Sequence, residues 1–492
     1  MYRFFDPTWG QLPTVPSDKV VALRVFDNLP LAEDASLWTA FLFNNVLDPS
    51  KLRASLETLA SLEGWNKIGA RFRYDKSRHL NYHIPAKFNK DRPAVNFCHI
   101  RHDMPIAKHP VASKLQQLRA TKGPKILADT NEFQPLWDHP NIPKRFSHYL
   151  NHDISQTGLV VVSFNDATIV ALSWFHTFFD TPGKAELLHA WSLVVNGDIA
   201  HVKTPHDAAE DPLAELGLHP TEPYILEKLK LSWVQVTIFA VRAVYNALFK
   251  KYRNRILLLP ATFLSDLRRQ AAYDLSVSDT WPGSKAPFLS DDNLITAWWA
   301  QLRTSVMKNP CGTVNLLNAL GLRRTLQEDL LPSSKPYLSN AVGFFPLLIP
   351  AQELIAQPRS HVAALMRQRI TECRTRQQVE AYAALVREKK GTLTMPMFGD
   401  ATMTVLMGTS WCNGKLFQLD FSQAVIRTES VGAVSRSMLS FPSYIQYNTK
   451  KQVCFDLATT IGKDQEGNYW LNITTDDFHW KRIEQALNKG KE

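Results

Sequence analysis

Cysteine is scarce and dispersed: Cys98, Cys311, Cys373, Cys412 and Cys454 form no C-x-x-C pair. That leaves no basis for a disulfide framework or a zinc ribbon, and a reducing, cytoplasmic setting is expected. Charge of one sign is short as well. The 492 residues carry 56 Lys+Arg and 46 Asp+Glu, a formal +10 with acids and bases interspersed. This is too mild for a nucleic-acid-binding tail, so no nucleic-acid partner is expected, but it suits a small polyanion such as a nucleotide-bearing co-substrate. The opening Met1-Tyr-Arg-Phe-Phe-Asp-Pro-Thr-Trp9 lacks a basic stretch followed by an unbroken apolar run, so no secretory signal is expected. Internal repeats and long biased segments are missing too. One stretch, 231–249, approaches membrane length and precedes the basic run Lys250-Lys-Tyr-Arg-Asn-Arg255, but Gln235, Arg242 and Asn246 interrupt it. A mid-span arginine is costly in lipid. Val234, Ile238, Val241, Tyr245 and Leu248 recur at helical spacing, the pattern of a soluble helix with one buried face. A helix lying on a membrane surface, through 231–255, is the less favoured alternative.

What is present is globular. Hydrophobic residues make up 45% and aromatics 11%, enough for two or three domains of roughly 150 residues each to bury its own core. The best break is the proline- and acid-rich tract from Asn196-Gly197 to Pro220-Thr-Glu-Pro223. It divides the chain into an N-terminal lobe 1–200, an exposed linker 201–225 and a C-terminal lobe 226–492. Before the break, Leu52, Leu56, Leu59 and Leu62 mark an amphipathic helix, and 81–88, 94–100 and 159–164 read as strands. After it, helices are expected over 261–272, 293–307 and 361–380, and strands near 403–410 and 415–421. Mixed order of this kind predicts an α/β (mixed α+β) fold.

The segment 158–183 is the most informative. Asn165-Asp166 is a turn signal between two β-rich runs, and alternation in the second run puts Val170, Leu172, Trp174 and His176 on one face. His176 thus ends a strand. Thr181 can then cap a helix with Pro182 at its first position, continued by Leu187, Trp191 and Val194. A histidine held at a strand end before a helix can face a cleft.

His176-Thr-Phe-Phe-Asp180, followed by Thr-Pro-Gly183, resembles the H-x-x-x-D motif of the BAHD acyltransferases, including their fungal trichothecene acetyltransferase-like relatives. Strand, motif, helix and terminal Gly197 stand in that family's order. Three later stretches resemble the family in sequence: Ser290-Asp-Asp-Asn-Leu-Ile-Thr-Ala-Trp-Trp299, then Gly321-Leu-Arg-Arg324 with Tyr337-Leu-Ser-Asn-Ala341, then Gly408-Thr-Ser-Trp-Cys412 through Asp420-Phe421. The departures are Ser422-Gln423-Ala424 where the family has Gly-Trp-Gly, Gly321 where an Asp usually stands two before the loop arginine, and Thr181 where a small residue usually follows the motif Asp.

The resemblance implies two chloramphenicol-acetyltransferase-like lobes of mixed sheets flanked by helices, an active-site channel between them, and a segment around 350–400 crossing to the first lobe. It implies a monomeric acyltransferase that moves a short acyl group from acyl-CoA, a co-substrate and not a resident cofactor, to a hydroxyl of a lipophilic secondary metabolite. Such a transfer needs a base and oxyanion donors but no metal. His176 is the implied base, since an ordinary imidazole is largely neutral near pH 7. Asp180 would turn away to pair with Arg323, or otherwise Arg324. Thr409 and Trp411 would lie near the oxyanion, and Asp420 in the supporting structure. Arg268, Arg269 and the 250–255 cluster are conceivable ligands for the CoA phosphates, and none is singled out.

Competing readings are weaker. Gly408-Thr-Ser410-Trp-Cys412 falls one residue short of a nucleophile elbow, but Asn413-Gly414 predicts a strand-to-strand hairpin there, with Trp411 beside the turn. Cys98-His99-Ile-Arg-His102-Asp103 invites a metal, yet residues three apart on a strand point to opposite faces. A scaffold that binds or cyclises a hydrophobic metabolite without acyl transfer is the alternative of a different class.

Overall fold

Two sheets carry the chain, and each takes an edge strand from the opposite half of the sequence. The computed structural model describes residues 12–28, 36–77, 79–118, 122–278, 287–389, 395–427, 440–449 and 453–489; the opening nine residues discussed above lie outside them. The first sheet has five strands in the order Tyr444–Thr449, Ser36–Phe43, Thr168–Phe175, Gly158–Ser163 and Asn96–Arg101, parallel only in the last pair. Its three middle strands are buried at every position, as strands covered on both faces must be. Asn165-Asp166 turns the hairpin that pairs Ser163 with Thr168. Helices Pro49–Ser61 and Thr181–Val195 pack together beside this sheet, with Leu52, Leu56 and Leu59 buried and the Trp191 indole donating to Ser55 Oγ at 2.9 Å.

The second sheet has seven strands, in the order Val342–Pro350, Thr313–Gly321, Thr404–Ser410, Asp456–Lys463, Tyr469–Asp476, Tyr252–Leu259 and Lys125–Asp129. Thr404–Ser410 is parallel to both of its neighbours. Helices Ala261–Ser276, Asp291–Ser305 and Arg359–Cys373 pack on one another around a core that includes Val314, Leu316 and Leu406.

Several expectations change. The strands that exchange sheets are 125–129 and 444–449. The 350–400 segment instead places Val362, Ala363 and Met366 in the second sheet's core. Within it, 361–380 is two helices, Arg359–Cys373 and Arg376–Glu388, because Thr375 caps the second by accepting the Gln378 N–H at 3.2 Å. The 201–225 tract is no free linker: Leu213, Leu216 and Tyr224 are buried with Leu320, Phe345 and Tyr382, and Arg387 donates to the Leu216 carbonyl at 2.6 Å.

Residues 415–421 form no strand, and Asn413-Gly414 no hairpin. Cys412–Gly414 and Leu416–Gln418 are 3-10 turns joined at Lys415, whose φ is +47°. The Asn-Gly pattern is a local preference, whereas Leu416, Phe417, Leu419 and Phe421 are all buried in the first sheet's core. A half-buried strand cannot bury the adjacent pair Leu416 and Phe417 on one face. Finally, helix Trp233–Phe249 contains no buried residue, so its apolar face points away from the protein and not into it.

Candidate active site

The strand ends at Phe175, one residue before His176, because Asp180 begins a helix shortly after it. Asp180 is the N-cap of Thr181–Val195, accepting the Gly183 N–H at 3.1 Å with Pro182 in the first turn. Between the two, Thr177, Phe178 and Phe179 are buried. His176 is half-buried, with Nδ1 turned inward and unbonded among the described residues, while its carbonyl accepts Asn340 Nδ2 at 2.9 Å.

Asp180 accepts nothing from the histidine and has no acceptor site left over. Oδ2 accepts Arg323 Nη1 at 2.7 Å and the Ala341 N–H at 2.9 Å, and Oδ1 accepts Arg323 Nη2 at 2.8 Å in addition to Gly183. Four donors fill the carboxylate. Arg323, and not Arg324, makes this two-pronged pair, and its Nη2 also donates to the carbonyls of Tyr337 (3.0 Å) and Ser339 (2.7 Å). A Cβ on residue 183 would lie 2.6 Å from the Leu338 carbonyl oxygen, so the helix start and the 337–341 segment approach this closely only with glycine.

Beneath the turn is a polar cluster that sequence reasoning missed. Asp27 is 1% exposed and accepts both the N–H and the Nδ2 of Asn340 at 2.8 Å. Lys67 Nζ donates to the Phe178 carbonyl at 3.0 Å and to Ser339 Oγ at 2.7 Å, a hydroxyl that also accepts Arg24 Nη1 at 3.0 Å. Burial pushes the Lys67 ammonium down to about 8, against the opposing pull of Asp27. Because this pKa is below that of the unfolded chain, the unfolded state holds the proton that the native state has released between about pH 8 and 10.5. Stability from this group therefore rises with pH across that window. In denaturant titrations, the stability of wild type relative to Lys67→Met should shift in favour of wild type by on the order of 3 kcal/mol over that range; a constant difference would mean that Lys67 is not held in this state.

The second sheet delivers its residues from the other side. Thr404–Ser410 ends beside the five-stranded half, with Thr409 half-buried opposite Thr459. The Trp411 N–H donates to the Thr460 carbonyl at 2.8 Å, and its ring meets Tyr447 of the exchanged strand edge-on at 4.9 Å. Lys184 Nζ lies 3.1 Å from the Trp411 ring centroid and 5.1 Å from that of Trp174. Lys184 is buried in the first turn of the motif helix, and burial holds its ammonium well below the usual lysine range. Trp411 is thereby packed against a side chain of the first turn of the motif helix. The one hint of Lys184 in the sequence is a lysine directly after the motif glycine, in a helix whose other charged residue is Glu186.

Asp420 is elsewhere. Its carbonyl accepts Ser192 Oγ at 2.6 Å and Asn196 Nδ2 at 2.9 Å, at the far end of the motif helix. Phe421 stacks on Phe43 at 5.3 Å and meets Trp191 at 4.9 Å. A helix of 15 residues spans about 22 Å, so Asp420 and the Ser422-Gln423-Ala424 departure anchor that end of the helix, remote from His176. Ser410 precedes a 3-10 turn and no α-helix, which leaves the nucleophile elbow without its required context. The arginines considered for CoA phosphates are paired with acids: Arg268 with Asp291 at 2.6 Å, Arg269 with Asp266 at 3.2 Å, Arg253 with Asp477 at 2.6 Å, and Arg255 with Glu484.

The sequence pattern of the Transferase family matches residues 142–456. Among curated relatives, calD of Penicillium decumbens, named a transcriptional regulator, is 34% identical over 485 residues, 97% of each chain. The acetyltransferase sphE of Aspergillus fumigatus is 32% identical over 494 residues, 96% of each. The O-acetyltransferase PaAT-2 of Phomopsis amygdali is 31% identical, over 97% of this chain and 99% of its own. The crystal structure of F. sporotrichioides TRI101 with coenzyme A and T-2 superimposes with a TM-score of 0.69 at 14% identity, over 96% of this chain and 98% of that one. Vinorine synthase does so with a TM-score of 0.60 at 12% identity, over 97% and 95%. Both structures share the two-lobed mixed α/β architecture. A family pattern spanning the motif, full-length relatives above 30% identity and a shared fold converge on one conclusion: the chain belongs to the Transferase family, among the fungal BAHD-type acyl-CoA-dependent acyltransferases.

Proposed function

We propose that the protein transfers a short acyl group, acetyl first among them, from acyl-CoA to a hydroxyl of a lipophilic small molecule, with His176 as general base. One observation carries this reading: the Asp180 carboxylate is filled by four donors. Asp180 cannot take a proton without breaking the turn, and the imidazole is the titratable group that the motif leaves uncommitted. The acceptor O–H proton passes to His176 as the oxygen attacks the thioester carbonyl. The C–S bond then breaks, and the proton moves on to the leaving thiolate as free CoA thiol. Thr409 and Trp411, at the C-terminal end of an interior strand of the second sheet, supply donors to the oxyanion. Asp180 with Arg323, and Asp420 with Phe421, hold the two ends of the motif helix. The relatives named as acetyltransferases, and the TRI101 structure solved with coenzyme A and T-2, support the donor and the acceptor class. The protein acts as a cytoplasmic monomer in this reading. The test is thiol release from acetyl-CoA with a panel of lipophilic alcohols: a competent acceptor should accelerate it and appear as its ester. Binding of the acceptors without thiol release or ester would favour a scaffold that no longer transfers acyl groups.

A further inference from the structure

Helix Trp233–Phe249 is built inside out. Gln235, Arg242 and Asn246 fall on one stripe, and this stripe, with the half-buried Val236 and Phe239 beside it, is the side that meets the protein. Arg242 Nη1 donates to the Ala401 carbonyl at 2.8 Å, and Gln235 and Asn246 are half-buried. The opposite arc is apolar and open: Trp233 is 80% exposed, Leu248 73%, Phe249 71%, Val241 63% and Tyr245 59%. No described segment covers it. By contrast, Leu52, Leu56 and Leu59 on the Pro49–Ser61 helix are fully buried, so this is not how the chain ordinarily places an amphipathic helix. The helix is a firm element: Ser232 and Gln235 close a capping box at its start.

Charge decides what belongs on that arc. From Lys228 to Arg255 there is no acidic residue, and Lys228 and Lys230 precede the helix as Lys250 and Lys251 follow it; of these, Lys230 pairs with Glu388 at 3.1 Å and Lys250 with Asp476 at 3.8 Å. Two copies meeting through this face would bring those lysines together, whereas an anionic lipid surface would neutralise them. At 17 residues the helix is about 25 Å long, and no helix among the described residues is long and apolar enough to cross a membrane. A helix with a broad apolar arc and basic ends lies in the interfacial plane.

We infer that Trp233–Phe249 docks the protein on the surface of a membrane that carries anionic lipid, its apolar arc among the acyl chains and its flanking lysines at the headgroups. This docking does not depend on the proposed chemistry. The test is co-sedimentation of the full chain with vesicles of phosphatidylcholine alone and with about one-third phosphatidylserine, alongside light scattering in solution. Wild type should pellet with the phosphatidylserine vesicles and be released by salt. Val241→Glu with Leu248→Glu should abolish pelleting, and Lys250→Gln with Lys251→Gln should weaken it by about tenfold or more. Val241→Glu with Leu248→Glu changes exposed positions and should keep the wild-type unfolding midpoint and thiol-release rate. Failure of wild type to bind either vesicle, binding that ignores both variants, or a wild-type dimer that Leu248→Glu converts to monomer would overturn the inference, the last by assigning the face to a second copy.

Discussion

His176→Ala should lower acceptor-dependent thiol release from acetyl-CoA by about 10²–10⁴-fold, the usual worth of a positioned general base, while the unfolding midpoint stays close to that of wild type. Both halves of this expectation come from the geometry. The imidazole Nδ1 makes no hydrogen bond, and the bond that ties residue 176 to the second half of the chain runs from Asn340 to its carbonyl, which alanine keeps. Little of the turn's support is removed with the ring. Saturating donor and acceptor would leave the defect in kcat, since the lost interaction belongs to the transition state. A His176→Ala protein that released thiol at the wild-type rate would remove the residue from the mechanism and direct attention to another base.

Asp180→Asn should fail differently, by unfolding early. It leaves the Arg323 guanidinium beside a neutral amide, and breaking a buried pair from one side costs about 3–5 kcal/mol. Asp180 is 4% exposed and Arg323 21% at the side chain, so solvent offers little compensation. The Gly183 and Ala341 N–H groups lose a charged acceptor at the same time. Arg323→Met should cost a similar amount, and the double variant Asp180→Asn with Arg323→Met less than the two singles combined, because the unpaired charge is then gone. Chemical denaturation of the three proteins reads this directly. An Asp180→Asn protein as stable as wild type but inactive would mean that the carboxylate acts in the reaction instead of bracing the turn.

What could be read ahead of the structure divides by the range of the interactions involved. Asn165-Asp166, the alternation that runs to His176, and the helix start are settled within a few residues of one another, and local pattern displays such features, although the cap is Asp180 and not the expected Thr181. Arg323 is 143 residues from Asp180, and resemblance, not pattern, brought it forward. Lys67 and Ser339 are 272 residues apart, and nothing in either neighbourhood announces the other. The Asn413-Gly414 turn shows the converse error, a strong local preference overruled by the burial of Leu416 and Phe417. For Trp233–Phe249, periodicity identified an apolar side but carried no information on whether protein or solvent lies against it.

The exchanged edge strands bear on how the protein is made. Ser36–Phe43 pairs with Tyr444–Thr449 along its outer edge, so this strand keeps open hydrogen-bonding groups until a partner 401 residues further on has been synthesised. During that interval it is a buried strand without its neighbour, the kind of surface that recruits chaperones or pairs with another chain. The order in which this protein is translated is therefore not the order in which its sheets are completed.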